Sequence, residues 1–313
     1  MASSSRKVIV AALVGNSLIA VTKFIAAAIT GSSAMLSEGI HSLVDTGNQV
    51  LLLHGLARSR KPPDEDYPFG HGKEIYFWSF VVAIVIFGVG AGVSLYEGVQ
   101  HLISPHSLER PEISYIVLGI GMIFEAGAWY LAFKEFNRVK GGWGYLEAVH
   151  RGKDPSLYVV LFEDSAAMLG LVAAFLGIFL GQVTGDERFD GAASIVIGCI
   201  LGGTAVWLAY ETKGLLIGES ADREVVRTIR ELAERRDSVE HVNEVLTMHM
   251  GPDFILVNLS VEFRDSITAV DLETEIAAID RSIKEAVPHV KRVFVEAEAR
   301  RNPTRGDEAD RGE

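Results

Sequence analysis

Residues 37–49 read SEGIHSLVDTGNQ. The stretch lies inside an apolar segment, yet it carries Glu38, His41, Asp45 and Asn48. His41 and Asp45 stand at i and i+4, so they share one helical face. Glu38 and Asn48, three residues to either side, extend the same stripe. An imidazole and a carboxylate at that spacing can chelate one divalent cation from a single helix. Asp164, in another apolar segment, could complete a four-donor site from across a bundle. The same groups could instead form a buried, hydrogen-bonded cluster that shares protons. Ionisable groups inside a membrane span cost roughly 2.5–3.5 kcal/mol each, so both readings give them a purpose. Glu125 and Asn16 are further polar groups within apolar runs, read as helix contacts or as lining of an ion path. Lys23 and Glu97 lie nearer span ends and are expected to snorkel toward the interface. Cys199 reads as a packing residue.

The elements that must position these groups are long and apolar. The chain has 313 residues, is 49% hydrophobic, and carries a net charge of −12 with a single cysteine. That cysteine count excludes a disulfide framework and a cysteine-rich zinc motif, and the acidic balance argues against nucleic acid as a partner. Six segments have the roughly 20 apolar residues that a spanning helix needs: 8–30, 34–57, 75–103, 113–133, 157–182 and 192–216. Lys and Arg cluster on one side of these spans, at Arg6, Lys7, Arg58, Arg60, Lys61, Lys73 and in the 134–153 connection, against only Arg110 and Arg188 on the other. This bias places both termini in the cytoplasm. The absence of an N-terminal targeting segment fits a bacterial or archaeal inner membrane.

Charge becomes dense after residue 218. Residues 222–237 and 269–287 have helical apolar spacing, and 242–250, 254–263 and 290–298 read as strands. The order αββαβ predicts a small ferredoxin-like, open-faced sandwich. The expected organisation is a six-helix transmembrane domain over 1–218, a cytoplasmic αββαβ dimerisation or regulatory domain over 219–300, and a disordered tail over 301–313.

SSAMLSEGIHSLVDTGNQ, the loop YPFGHGKEIYFWSF, FEDSAAMLGL, DGAASIVIG and LLIGESAD together resemble the cation diffusion facilitator family over nearly the whole chain. The resemblance implies a homodimer that exports a divalent metal in exchange for protons. It places His41 and Asp45 as the first pair of transport ligands and Asp164 as the last. The remaining ligand of the family is usually a His where this chain has Val160; Glu163 is the natural candidate replacement, with Glu125 or water as the alternatives. One nitrogen with two or three oxygens suits zinc and also manganese, iron(II) or cobalt. His71 and Asp64 match a secondary loop site of some members. In the tail the places of bridging-metal ligands fall on Asn243, Glu273 and Glu298, so that domain reads mainly as a dimerisation module.

The reading is therefore a proton-coupled divalent metal exporter, zinc first, with lipid and a second copy as partners. A membrane metal hydrolase is disfavoured, because no His-Glu-x-x-His helix is present and the outer connections are short. The absence of a His at position 160 keeps a second reading open, a non-transporting metal-binding partner that regulates another transporter.

Overall fold

The computed structural model describes residues 2–105 and 110–300. The expected disordered tail at 301–313 lies outside the described residues. The chain divides into two compact units, with the division between Leu216 and Ile217.

The first unit is helical. α1 (Ala2–Thr30) and α2 (Ser33–Arg58) are antiparallel neighbours joined by Gly31 and Ser32. Gly31 has φ +68°, a conformation that glycine adopts without a Cβ penalty. Ser32 then caps α2 by accepting the Met35 amide. α3 (Glu74–Val85) and α4 (Gly92–Ile103) form one apolar rod interrupted by a π-helical segment over Ile86–Ala91. α5 (Pro111–Lys140), the short α6 (Tyr145–Arg151), α7 (Pro155–Thr184) and α8 (Arg188–Ile217) follow. Proline sits in the first turn of α5 and of α7, where its missing N–H costs nothing.

Burial runs opposite to that of a water-soluble domain. In α1, Val14, Leu18, Val21 and Ile25 are all more than half exposed, whereas Asn16 and Lys23 are buried. Ile116, Ile120 and Ile123 on α5 and Leu169, Leu176 and Val183 on α7 repeat the pattern. Outward apolar stripes around a polar interior are what a hydrocarbon solvent selects. Cys199 belongs to the outward set: it is exposed on α8, not packed inside as its apolar surroundings suggested. Among the described residues five helices are long and apolar enough to cross a membrane. α2 has the length, 26 residues, but its polar stripe lowers its apolarity. The result is a multi-pass α-helical membrane unit.

The second unit contains α9 (Arg223–Glu234), β1 (Val239–Gly251), β2 (Phe254–Phe263), α10 (Ala269–Ala286) and β3 (Val290–Ala297). β1 and β2 pair antiparallel around a tight turn at Pro252 and Asp253, and β2 and β3 pair parallel, giving the order β1-β2-β3. A parallel pair needs a crossover, and α10 supplies it. Ile229 and Ala233 of α9 and Ile279 and Ile283 of α10 form one core with Val242, Val257, Leu259 and Val261 of the sheet.

Candidate metal centre

The interior of the helical unit holds one concentration of charge. From α2 come Glu38, His41, Asp45 and Asn48, from α7 Glu163 and Asp164, from α5 Glu125, and from α1 Asn16 and Lys23. Each is at most 1% exposed. The α2 stripe faces inward along its length because Ser42 and Gln49 are buried on the same side. That face meets α7, which brings Asn48 against Glu163 and Asp45 near Glu163 and Asp164, with His41 one turn from Asp45 on the same face.

His41 Nδ1 and Asp45 Oδ1 lie 3.3 Å apart, yet neither imidazole nitrogen has a hydrogen-bond partner, and Asp45 Oδ1 has none. Asn48 Nδ2 donates to Glu163 Oε1 at 2.6 Å. The carboxyls of Asp45 and Glu163 are close neighbours across the two helices. Glu163 Oε2, Asp164 Oδ2 and both oxygens of Glu125 have no partner. Glu125 and Asp164 lie within electrostatic reach of Asp45. Buried polar atoms left unpaired are costly. Here the His41 nitrogens and the carboxyl oxygens of Asp45, Glu163, Asp164 and Glu125 are donors that a cation would satisfy. Among the described residues no three His, Cys, Asp or Glu side chains already stand at coordinating spacing. The centre is a loose set of donors, not a preformed chelate.

Val160, where the resembling family carries histidine, is buried and apolar, one helical turn from Asp164. Glu163 is an α7 carboxylate that reaches α2, through Asn48. Adjacent helical residues point about 100° apart, and the longer glutamate side chain spans that difference.

Lys23 does not snorkel. It is 0% exposed, and its ammonium donates to Glu38 Oε2 and to Ser42 Oγ, each at 2.9 Å. Seven residues inside the α1 terminus, it lies about 10 Å from that end at 1.5 Å per residue, too deep for its stem to bring the charge out. That depth was the available signal. Asp190 of α8 was not anticipated either. It accepts Ser32 Oγ at 2.7 Å and the Ser33 and Ala34 amides at 2.7 and 3.2 Å, so a carboxylate from α8 caps the helix that bears the site. Ser33 and Ser194 hydroxyls, 2.9 Å apart, reinforce this clasp.

The loop pair forms as well. His71 Nε2 and Asp64 Oδ2 are 2.8 Å apart, and the Tyr67 amide donates to Asp64 Oδ1 at 2.8 Å. The bond to His71, with the Tyr67 amide, holds the Asp64 carboxyl below its usual range. In the second unit, Asn243 donates to Ser260 Oγ, which donates to Glu298 Oε2 at 2.8 Å. Glu273 stands apart from them, exposed on α10.

Residues 9–217 match the family described as the cation efflux transmembrane domain. The chain is 34% identical over 259 residues to the mitochondrial proton-coupled zinc antiporter SLC30A9 of Homo sapiens, covering 82% of this chain and 46% of that protein. It is 28% identical to metal tolerance protein C4 of Arabidopsis thaliana, covering 83% of this chain and 57% of that one. It is 25% identical over 308 residues to the manganese efflux system protein MneP of Bacillus subtilis, covering 93% and 97%. The chain thus spans about half the length of the first two relatives and nearly all of the third. With the family match reaching across every long helix of the first unit, the chain belongs to the cation diffusion facilitator family.

Proposed function

We propose that this protein carries a divalent metal cation across a membrane in exchange for protons, with zinc the first candidate and manganese, iron(II) and cobalt as alternatives. The observation that carries this reading is a buried cluster in which His41 and Asp45 share one face of α2, Asn48 of that helix donates to Glu163 of α7, and Asp45, Glu163, Asp164 and both imidazole nitrogens keep donor atoms without a hydrogen-bond partner. Metal needs a neutral imidazole and ionised carboxylates. Protons compete for the same atoms, so loading one empties the other. A loose donor set suits a carrier, which must release its cargo as readily as it binds. The similarity to a proton-coupled zinc antiporter and to a manganese efflux protein supports both the coupling and the spread of metals.

In this reading α2 is a sixth span, its polar stripe sheltered by its neighbours, and both chain ends lie on the Lys/Arg-rich cytoplasmic side. The second unit is a ferredoxin-like module through which two copies pair. Asn16, Glu38, Asn48 and Glu125 line the path, and Asp64 with His71 forms a secondary loop site. The test is flux in proteoliposomes. Zinc, manganese, iron(II) and cobalt are offered in turn to the wild type and to His41→Ala, Asp45→Ala and Glu163→Ala. Loss of flux with His41→Ala and Asp45→Ala is expected, together with a changed metal order for Glu163→Ala. Transport indifferent to His41 and Asp45 would sink the assignment.

A further inference from the structure

The Lys23 ammonium has no lone pair with which to ligate a metal, yet Lys23 is one of the largest fully buried side chains among the described residues. Its stem runs past Gly121 of α5, where a Cβ would lie 3.7 Å from Lys23 Cε. Its charge is taken up by Glu38 and Ser42. Glu38 is one turn before His41 on α2, so the pair sits between the metal centre and the end of the bundle where α1 joins α2. At that end a cavity of about 500 Å³ lies among α1, α2 and α4. Its walls include Phe24, Ser33, Leu36, Glu97, Gln100 and His101. Phe24 follows Lys23 in sequence, and its ring lies against Gly39, next to Glu38. Along α2 from the cavity inward the order is therefore Leu36, level with Phe24, then Glu38 with the Lys23 ammonium, then His41 and Ser42, then Asp45. Around the ammonium, Glu38 is in contact and His41 and Glu125 are within electrostatic reach. Glu38 Oε1 has no hydrogen-bond partner and abuts Gly170 of α7.

We propose that the Lys23–Glu38 pair is the gate between the metal centre and an outer vestibule formed by this cavity. The inference rests on the transport reading above. The ammonium is a tethered cation in the lane that a departing ion must use. While it holds Glu38, a second cation at that depth meets positive charge and no free carboxylate pair. When α1 and α2 part, Glu38 is released to receive the ion on its way to the vestibule. A pair that only fastened α1 to α2 would need no cavity beside it and no carboxylate oxygen left open.

The test uses a Cys199→Ser background, which removes the single native thiol, in membrane vesicles of known orientation. A cationic, impermeant methanethiosulfonate is added on the vestibule side. With the pair intact, Leu36→Cys should react and Ser42→Cys should be shielded. In Lys23→Gln/Glu38→Gln, Ser42→Cys should react roughly tenfold faster or more, and metal-free proton leak should rise by a similar factor. The charge-swapped Lys23→Glu/Glu38→Lys should restore both barriers. Ser42→Cys reacting as fast as Leu36→Cys with the native pair in place would overturn the proposal. So would unchanged shielding and no leak in the neutral double variant. If that variant does not fold, Glu38→Asp, which shortens the pair by one methylene, decides by the same two readouts. Absence of flux for zinc, manganese, iron(II) and cobalt by the wild type would remove the transport reading. The labelling pattern would still decide where the barrier lies.

Discussion

At Asn48 a single amide settles how Glu163 is used. By donating to Glu163 Oε1 it turns that carboxyl toward Asp45, which its helical position alone does not do. Partners of this kind orient ligands, and losing one typically costs about 10–100-fold in metal affinity. Asn48→Ala should weaken zinc binding by roughly that factor in equilibrium dialysis, while Asn48→Gln should retain part of it. At Gly170 the absence of a side chain matters, because a Cβ there would collide with the Glu38 carboxylate. Gly170→Ala should displace Glu38 from Lys23 and destabilise the detergent-solubilised protein by about 1–3 kcal/mol, seen as a lower Tm. The His41/Asp45 pair was legible from spacing alone, since a 3.6-residue period leaves no other way to stack them. The Lys23–Glu38 pair was not. Both residues were visible as charges, but which charge meets which depends on how α1 is rotated against α2, and an outward stripe of Val14, Leu18 and Val21 fixes that only after the neighbours are known.

Among the elements, α2 depends most on help from elsewhere. It carries the polar stripe, so its burial stabilises it less than an apolar helix of equal length, and its N-terminus is held by Asp190 from α8. A carboxylate on the first amides of a helix both caps it and meets the positive end of its dipole. Asp190→Ala should cost about 1–2 kcal/mol, measured as a fall in Tm. Ser32→Ala should cost less, because the Ser33 and Ala34 amides keep their partner. This clasp was illegible beforehand: Asp190 reads in sequence as an ordinary first-turn acid, and no local signal pairs it with residues more than 150 positions away. The strands and helices of the second unit were legible, since alternation and 3.6-residue spacing are local. The parallel pairing of β2 with β3 follows from the crossover length of α10.

For the whole molecule the two units answer to different solvents, and their sensitivities should differ accordingly. In the second unit Arg236 grips Glu275 with two hydrogen bonds, at 2.8 and 3.0 Å, and Ser238 adds a third. The Arg236 bond first, and then Ser238, hold the Glu275 carboxyl below its usual range despite partial burial. A depressed acid stabilises the fold above its unfolded pKa and loses that contribution as pH falls through its folded pKa. Hydrogen exchange at α10 should therefore quicken as pH drops through and below about 4.3, beyond the intrinsic effect of pH on exchange. The loss should be about 1 kcal/mol or less for so accessible a pair, and Arg236→Ala should abolish the added acid sensitivity. The helical unit carries its own numerical constraint. The π-helical segment at Ile86–Ala91 amounts to a rod with one surplus residue. Beyond it, Gly98 lies so close to α8 that a Cβ would come within 2.8 Å of the Gly191 carbonyl. Excising Gly88 would remove the surplus, make the rod a continuous α-helix, and turn everything after it by roughly 100°. Gly98 would then face away from Gly191, and His101 away from Asp190. The spacing between α3 and α4 thus works as a phase setting, one residue wide, that decides which side of the rod α8 meets.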